Sequence, residues 1–331
     1  MNKLRILVCL LLLAVTAQAQ SQVAPQDAEL STYQYPFPVA FHPVHVQRQA
    51  FKMAYMDLKP QKPNGKTVVL LHGKNFNGAY WEQTARDLSK NGFRVIMPDQ
   101  IGFGKSSKPQ NIQYTFQMLA QNTKGLLDSL GVKKAAVLGH SMGGMLATRF
   151  ALMYPDFTEK LILENPIGLE DWKRWVPYQT VEKWYAGELK QTQAGIKKYQ
   201  LENYYGGQWK PEYDRWVNLL ASWTTGPDYP EVAWNAALTY DMIFTQPVVY
   251  EFDQLQMPTL LLIGQRDRTA LGKANAPAAA RKKLGNYPAL GKETARKIPN
   301  AKLVELDNVG HLPHIEAYDR FIQPLVAFLR N

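Results

Sequence analysis

Three features of the 331-residue sequence predict an α/β fold with a mostly parallel central sheet, flanking helices and one inserted helical cap. The first is a rhythm. Short apolar runs recur at 67–71 (TVVLL), 94–97 (RVIM), 135–138 (AAVL), 160–163 (KLIL), 259–263 (TLLLI) and 302–306 (KLVEL), each followed by helix-compatible sequence. Apolar runs of four to five residues that alternate with longer amphipathic stretches read as buried parallel strands with crossover helices. The second is a G-x-S-x-G turn at 139–143, directly after one of these runs. The third is a single break in the rhythm from 166 to 247, which holds Trp172, Trp175, Trp184, Trp209, Trp216, Trp223 and Trp234, seven of the chain's eight tryptophans.

From the N-terminus, Lys3 and Arg5 precede an unbroken apolar run at 6–15 and a small-x-small triplet, Ala17-Gln18-Ala19. This three-part pattern is that of a secretory signal peptide, expected to be cleaved after Ala19, with a retained anchor as the alternative. Bulky Val8 argues against lipid attachment at Cys9. Cleavage would remove Lys3, Arg5 and Cys9, the only cysteine, and leave a product suited to the periplasm or the cell exterior. Residues 20–40 are polar and then proline-punctuated, and are expected to form an extended arm laid on the surface. Alternation at 44–46 and 51–56 predicts an antiparallel strand pair. Helices are expected over 116–130, ended by Gly131, and over 145–153, ended before Pro155. The expected core is thus 41–165 with 248–331, and the cap is 166–247. Its aromatic residues must bury somewhere, either in a small core of the cap or along a substrate cleft.

Composition excludes other classes. Hydrophobic residues at 46 % and charged residues at 20 % rule out a disordered chain, a collagen and a polytopic membrane protein. A single cysteine rules out a disulfide framework and a cysteine metal cluster. The formal charge of +10 is scattered, and its densest run, 281–283 (RKK), is too short for a nucleic-acid arm. No metal-binding or dinucleotide motif is present, so no cofactor is implied and the expected partner is a small-molecule substrate. The stretch 285–294 resembles a phosphate loop only faintly, since five residues separate its glycines and Glu293 replaces the Ser or Thr. Residues 271–300 are expected to be a long insertion that shapes one wall of a cleft.

The serine turn carries the chemistry. A nucleophile on a sharp strand-to-helix turn adopts a strained backbone, and Gly139 and Gly143 leave it room. The helix that follows points its positive end at the site. Ser141 is therefore the expected nucleophile. A serine needs a base, an orienting acid and an oxyanion hole. His311 follows the strand at 302–306 and comes last in the chain, as the order Ser, acid, His requires. His314 is its rival.

Four further segments resemble the α/β-hydrolase superfamily, and the resemblance runs over about residues 40–331. Residues 70–73 (LLHG) end an early strand, where the family places its oxyanion loop. Residues 99–109 (DQIGFGKSSKP) resemble the D-x-x-G-F-G-x-S-x-x-P stretch of haloalkane-dehalogenase-like and C–C hydrolase-like members. Residues 264–267 (GQRD) resemble the acid loop and 310–316 (GHLPHIE) the histidine loop. The resemblance implies Asp267 as the acid. Glu164 is the rival acid, or else a charge at the mouth of the cap. Asp99 is implied as structural, holding the 102–104 turn. The expected oxyanion donors are the backbone N–H of Met142, the residue after the serine, and, as the resemblance implies, that of Lys74, with Asn75 second in line. The Lys74 side chain either points to solvent or adds a positive charge near the pocket. His72 is expected to brace the oxyanion loop, and His140 to face the cleft.

Together these readings lead to an exported serine hydrolase, expected to cleave a carboxylic ester of modest size with an apolar or aromatic part. A serine in the nucleophile position argues against dehalogenase and epoxide-hydrolase chemistry, which use a carboxylate. Two alternatives stay open: the same triad on another bond (C–C hydrolase, lactonase, amidase or cofactor-free peroxidase), and a non-catalytic binder on the same fold.

Overall fold

The computed structural model describes residues 23–331, so the expected signal peptide and the start of the arm lie outside the described residues. Two strands, β1 (Val39–Val46) and β2 (Gln49–Leu58), pair antiparallel. Gln47 and Arg48 join them, both at positive φ, as the tight primed hairpin turns require. Six more strands follow: β3 (Thr67–Leu71), β4 (Arg94–Pro98), β5 (Ala135–His140), β6 (Thr158–Glu164), β7 (Thr259–Gly264) and β8 (Ala301–Leu306). They form one eight-stranded sheet in the order β1-β2-β4-β3-β5-β6-β7-β8, antiparallel only at β1–β2 and β2–β4. Every residue of β5 and of β7 is buried, which is why these strands read as continuous apolar runs.

Helices α1 (Glu82–Lys90), α2 (Phe116–Ser129) and α3 (Met142–Met153) connect the parallel strands of the first half. The helix expected from 145 starts at Met142. Gly143 and Gly144 hide that start because glycine is a poor helix former. Between β6 and β7 lie α4 (Val181–Glu188), α5 (Gln193–Asn203), α6 (Asp214–Thr224) and α7 (Tyr229–Thr245). Helix α4 packs on α7 and α5 on α6, and the Trp184 ring stacks on Tyr240 with centroids 4.6 Å apart. Thr180 and Thr192 cap α4 and α5 through their hydroxyls.

Two expectations change. Residues 271–300 are not an insertion. They contain α8 (Ala278–Arg281) and α9 (Tyr287–Lys297), and α9 packs on β7 and β8, so it is the crossover that two parallel strands need. Gly291 of α9 lies directly on Ile263, where a Cβ would come within 3.1 Å of that side chain. The arm is also more than a surface strap. Leu30 is wholly buried, and the Trp223 indole N–H donates to the Asp27 carbonyl at 2.9 Å. The Gln26 N–H donates to Ser222 O at 2.9 Å, and the Tyr35 hydroxyl donates to Asp99 Oδ2 at 2.7 Å. The chain closes with α10 (Pro313–Glu316) and α11 (Tyr318–Arg330). Among the described residues, no helix is long and apolar enough to cross a membrane.

Candidate active site

Ser141 stands between the end of β5 and the start of α3 at φ 57° and ψ −122°, a conformation that L-residues rarely adopt. The surrounding glycines show why the turn tolerates nothing larger. A Cβ on Gly139 would lie 2.0 Å from the Gly143 carbonyl oxygen, and one on Gly143 would lie 2.2 Å from the Leu71 carbonyl oxygen. Ser141 itself is 7 % exposed.

Register brings the partners together. Strands β5, β6, β7 and β8 are parallel neighbours, so the loops after them leave the same edge of the sheet. His311 Nε2 lies 3.0 Å from Ser141 Oγ, and His311 Nδ1 lies 2.6 Å from Asp267 Oδ2. A carboxylate only accepts, so Nδ1 carries the hydrogen and Nε2 is free to take the serine proton. Asp267 and His311 are wholly buried. Two further bonds hold the Asp267 carboxylate: Thr269 N–H donates to Oδ1 at 2.8 Å, and Asn165 Nδ2 donates to Oδ2 at 2.7 Å.

Both loops are braced. The Arg266 guanidinium pairs with the Glu316 carboxylate and donates to Asn308 O at 2.8 Å. The other Glu316 oxygen accepts from Gly310 N–H at 2.7 Å. Burial raises the Glu316 carboxyl above its ordinary range, against the lowering pull of the Gly310 N–H and Arg266.

Glu164 is not paired with His311 and is not a charge at the mouth of the cap. It is wholly buried, and one carboxylate oxygen accepts from the backbone N–H of His314 at 2.9 Å and from its Nδ1 at 2.8 Å. His314 is thereby occupied away from Ser141. His140 does not face the cleft. Its Nε2 donates to the carbonyl of His311 at 2.8 Å, so its Nδ1 is the acceptor, 3.0 Å from the Tyr80 hydroxyl. That hydroxyl also accepts from Gly73 N–H at 2.9 Å. A buried chain of hydrogen bonds thus links the loop before Lys74 to the backbone of His311. Burial, reinforced by the nearby His311 and His314, holds the His140 imidazole well below the ordinary histidine range and therefore neutral. His72 braces its own loop, through Nδ1 to Gly73 O at 2.9 Å and through Nε2, which accepts from Gln100 N–H at 3.0 Å.

Asp99 holds the following turn, accepting from Gly78 N–H at 2.6 Å and Lys105 N–H at 2.8 Å. Ser106 Oγ donates to Asp99 O at 2.6 Å, and buried Lys108 donates to Gly104 O at 2.8 Å. Burial pulls the Lys108 ammonium down to about 8. These polar residues of the 99–109 stretch therefore build a turn.

Among the described residues, the N–H groups of Lys74 and Met142 donate to no protein acceptor. Gly73 lies against Ser141, where a Cβ would come 3.1 Å from Ser141 Cβ. The Lys74 side chain does not point to solvent. Its ammonium stands over the face of Tyr240, 3.5 Å from the ring centre. Burial lowers it below an ordinary lysine, and Glu188 offsets part of that shift. Asn75 Nδ2 donates to the Tyr204 hydroxyl at 2.8 Å.

Three residues of the site were not singled out from the sequence: Asn165, Tyr80 and Tyr204. Asn165 sits just past β6 at φ 36°, a position that asparagine tolerates, and its neighbour Glu164 drew the attention. Tyr204 follows α5, and its ring stacks on His311 with centroids 4.8 Å apart. Only tertiary packing reveals it. Ser141 opens to a cavity of about 480 Å³ whose wall includes Trp184, Tyr199, Tyr204, Tyr240 and the 269–275 loop. Among the described residues, no cluster of three or more His, Cys, Asp or Glu could hold a metal ion.

Comparison with known proteins bears on the fold. The alpha/beta hydrolase fold family matches residues 66–318. The structure of a probable hydrolytic enzyme from Pseudomonas aeruginosa PAO1 is 54 % identical, covers 94 % of this chain and 100 % of its own, and superposes with a TM-score of 0.93. A thermophilic esterase from Thermogutta terrifontis shares the fold at 24 % identity, covering 88 % of this chain and 98 % of its own, with a TM-score of 0.67. A 2-hydroxy-6-oxononadienedioate/2-hydroxy-6-oxononatrienedioate hydrolase from Comamonas testosteroni is 41 % identical over 108 residues. That match spans 32 % of this chain and only 38 % of the relative's length.

Proposed function

The chain belongs to the alpha/beta hydrolase fold family and is a hydrolase; from that premise we propose that it is an exported serine carboxylesterase acting through an acyl-enzyme. The observation that carries this reading is the continuous Ser141–His311–Asp267 chain, at 3.0 and 2.6 Å, opening to a cavity. Ser141 attacks the ester carbonyl while His311 Nε2 takes its proton. The N–H groups of Lys74 and Met142 hold the developing oxyanion, which is where most of the rate enhancement of such sites arises. Buried Asp267 fixes the imidazole tautomer and stabilises the imidazolium. His311 returns the proton to the departing alcohol, and the acyl group stays on Ser141. Water then gives a proton to the same nitrogen and attacks the acyl carbon, and His311 passes that proton to Ser141 Oγ as the carboxylic acid leaves. The aromatic cavity walls favour a small to medium ester with an apolar or aromatic part. The N-terminal charge, apolar run and Ala17-Gln18-Ala19 triplet support export.

The test is hydrolysis of 4-nitrophenyl esters from acetate to laurate by residues 20–331, beside Ser141→Ala. Turnover lost in the mutant is expected, and the chain-length profile sizes the pocket. Retained turnover in the mutant would end the reading. The Comamonas match favours one second reading, in which the same triad acts on a substrate like the one that names that relative. It predicts that a fluorophosphonate labels Ser141 while 4-nitrophenyl esters are not turned over. A non-catalytic binder predicts no labelling.

A further inference from the structure

Two cavities meet at one wall. The outer one, of about 480 Å³, contains Ser141. The inner one, of about 170 Å³, does not reach Ser141 and lies between the loop after β3 and helices α4–α7. Lys74, Asn75, Tyr199 and Tyr240 border both. Resting on the serine-hydrolase reading, we propose that the inner cavity is a second substrate subsite that takes an apolar acyl arm ending in a carboxylate, anchored on the Lys74 ammonium.

Size sets the first limit. An apolar cavity of roughly 150 Å³ accepts benzene, so the inner chamber holds an arm of about that bulk. Its walls suit an apolar arm, since Phe76, Phe103, Ile196, Trp223 and Val232 line it. One cation in this lining stands without a carboxylate in contact. The Lys74 ammonium has only the Tyr240 ring face, with no carboxylate within 4 Å among the described residues. A ligand carboxylate would give that ammonium a charged hydrogen-bond partner.

Charge sets the second limit. Glu188 borders the same chamber, so one cation faces one carboxylate there. A dianion such as a phosphate monoester would meet more repulsion than attraction, whereas a single carboxylate gains from Lys74 where it lies nearer to that ammonium than to Glu188. Position sets the third. The Lys74 N–H is the proposed oxyanion donor, so a carboxylate on the ammonium of the same residue lies a few methylenes from the reacting carbonyl. The substrate class is therefore a monoester of a short dicarboxylic acid.

The experiment compares kcat/KM for mono-4-nitrophenyl adipate with that for 4-nitrophenyl hexanoate, in the wild type and in Lys74→Met. The wild type is expected to favour the anionic ester by about tenfold or more, the order of a charge-assisted hydrogen bond. Lys74→Met should lower that ratio by a similar factor. A wild type that handles hexanoate as well as adipate would overturn the subsite while leaving the esterase standing, and it needs no variant to be seen. A preference that survives Lys74→Met would also overturn it, because the anchor would lie elsewhere. If neither ester is cleaved and a fluorophosphonate fails to label Ser141, the hydrolase reading itself falls, and the subsite with it.

Discussion

At the scale of single residues, the site separates two buried acid–histidine pairs that the sequence could not separate. Glu164 ends β6 and Asp267 follows β7 by three residues, and His311 and His314 lie three residues apart. Asp267 holds His311, whereas Glu164 holds His314. Asp267→Asn should therefore lower kcat by about 10³-fold or more, because the imidazole loses its tautomer and its counter-charge. Glu164→Gln should cost less than about tenfold in kcat and act mainly on the melting temperature, since its partner touches no reacting atom. Parallel kinetics and thermal melts of the two variants decide this, and equal losses in kcat would contradict it. Tyr80→Phe strands Gly73 N–H and His140 Nδ1 together. For an uncharged ester it should destabilise by about 1–3 kcal/mol and lower kcat with little change in KM, because what the loop is proposed to give such a substrate is an oxyanion donor. A rise in KM at constant kcat would point instead to a role in binding.

At the scale of elements, the strand–turn–helix unit around Ser141 was legible because its glycines answer to geometry. The φ of 57° at Ser141 and the contacts that a Cβ would make at Gly139 and Gly143 leave only glycine at the flanking positions. Gly143→Ala should cost about 4 kcal/mol or more, or prevent folding, since the clash is with the backbone of β3 and not with a movable side chain. Denaturant unfolding measures it, and a loss below about 1 kcal/mol would show that the loop after β3 can retreat. The parallel strands were legible for a similar reason, because burial on both faces leaves a continuous apolar run. Helix α9 was not. Pro288 and Gly291 interrupt its pattern, and of its buried residues Tyr287, Gly291 and Thr294 only the first is large and apolar.

At the scale of the molecule, what the sequence left unread lies where separate parts meet. Tyr204 reaches His311 from the far end of α5, and Leu30 anchors the arm in the core. Neither contact has a local pattern. Stability should also carry the mark of these burials. His72 and His140 are wholly buried, and both imidazoles are held below their ordinary value of 6.5. Just below pH 6.5 the unfolded chain takes up protons at these residues that the folded chain refuses. Stability contributed by their burial is therefore complete above that pH and lost as pH falls from 6.5. Melting temperatures between pH 7.5 and 5.5 should decline, and His140→Gln should flatten the slope; a slope unaffected by that change would contradict the assignment. The most direct test of the whole is to quench the enzyme during turnover of a 4-nitrophenyl ester and weigh its peptides. An acyl group on the peptide containing Ser141, absent from Ser141→Ala and accumulating in Asp267→Asn if deacylation becomes the slower step, is the expected result. Steady turnover with Ser141→Ala, and no acyl group on any Ser141 peptide, would contradict it.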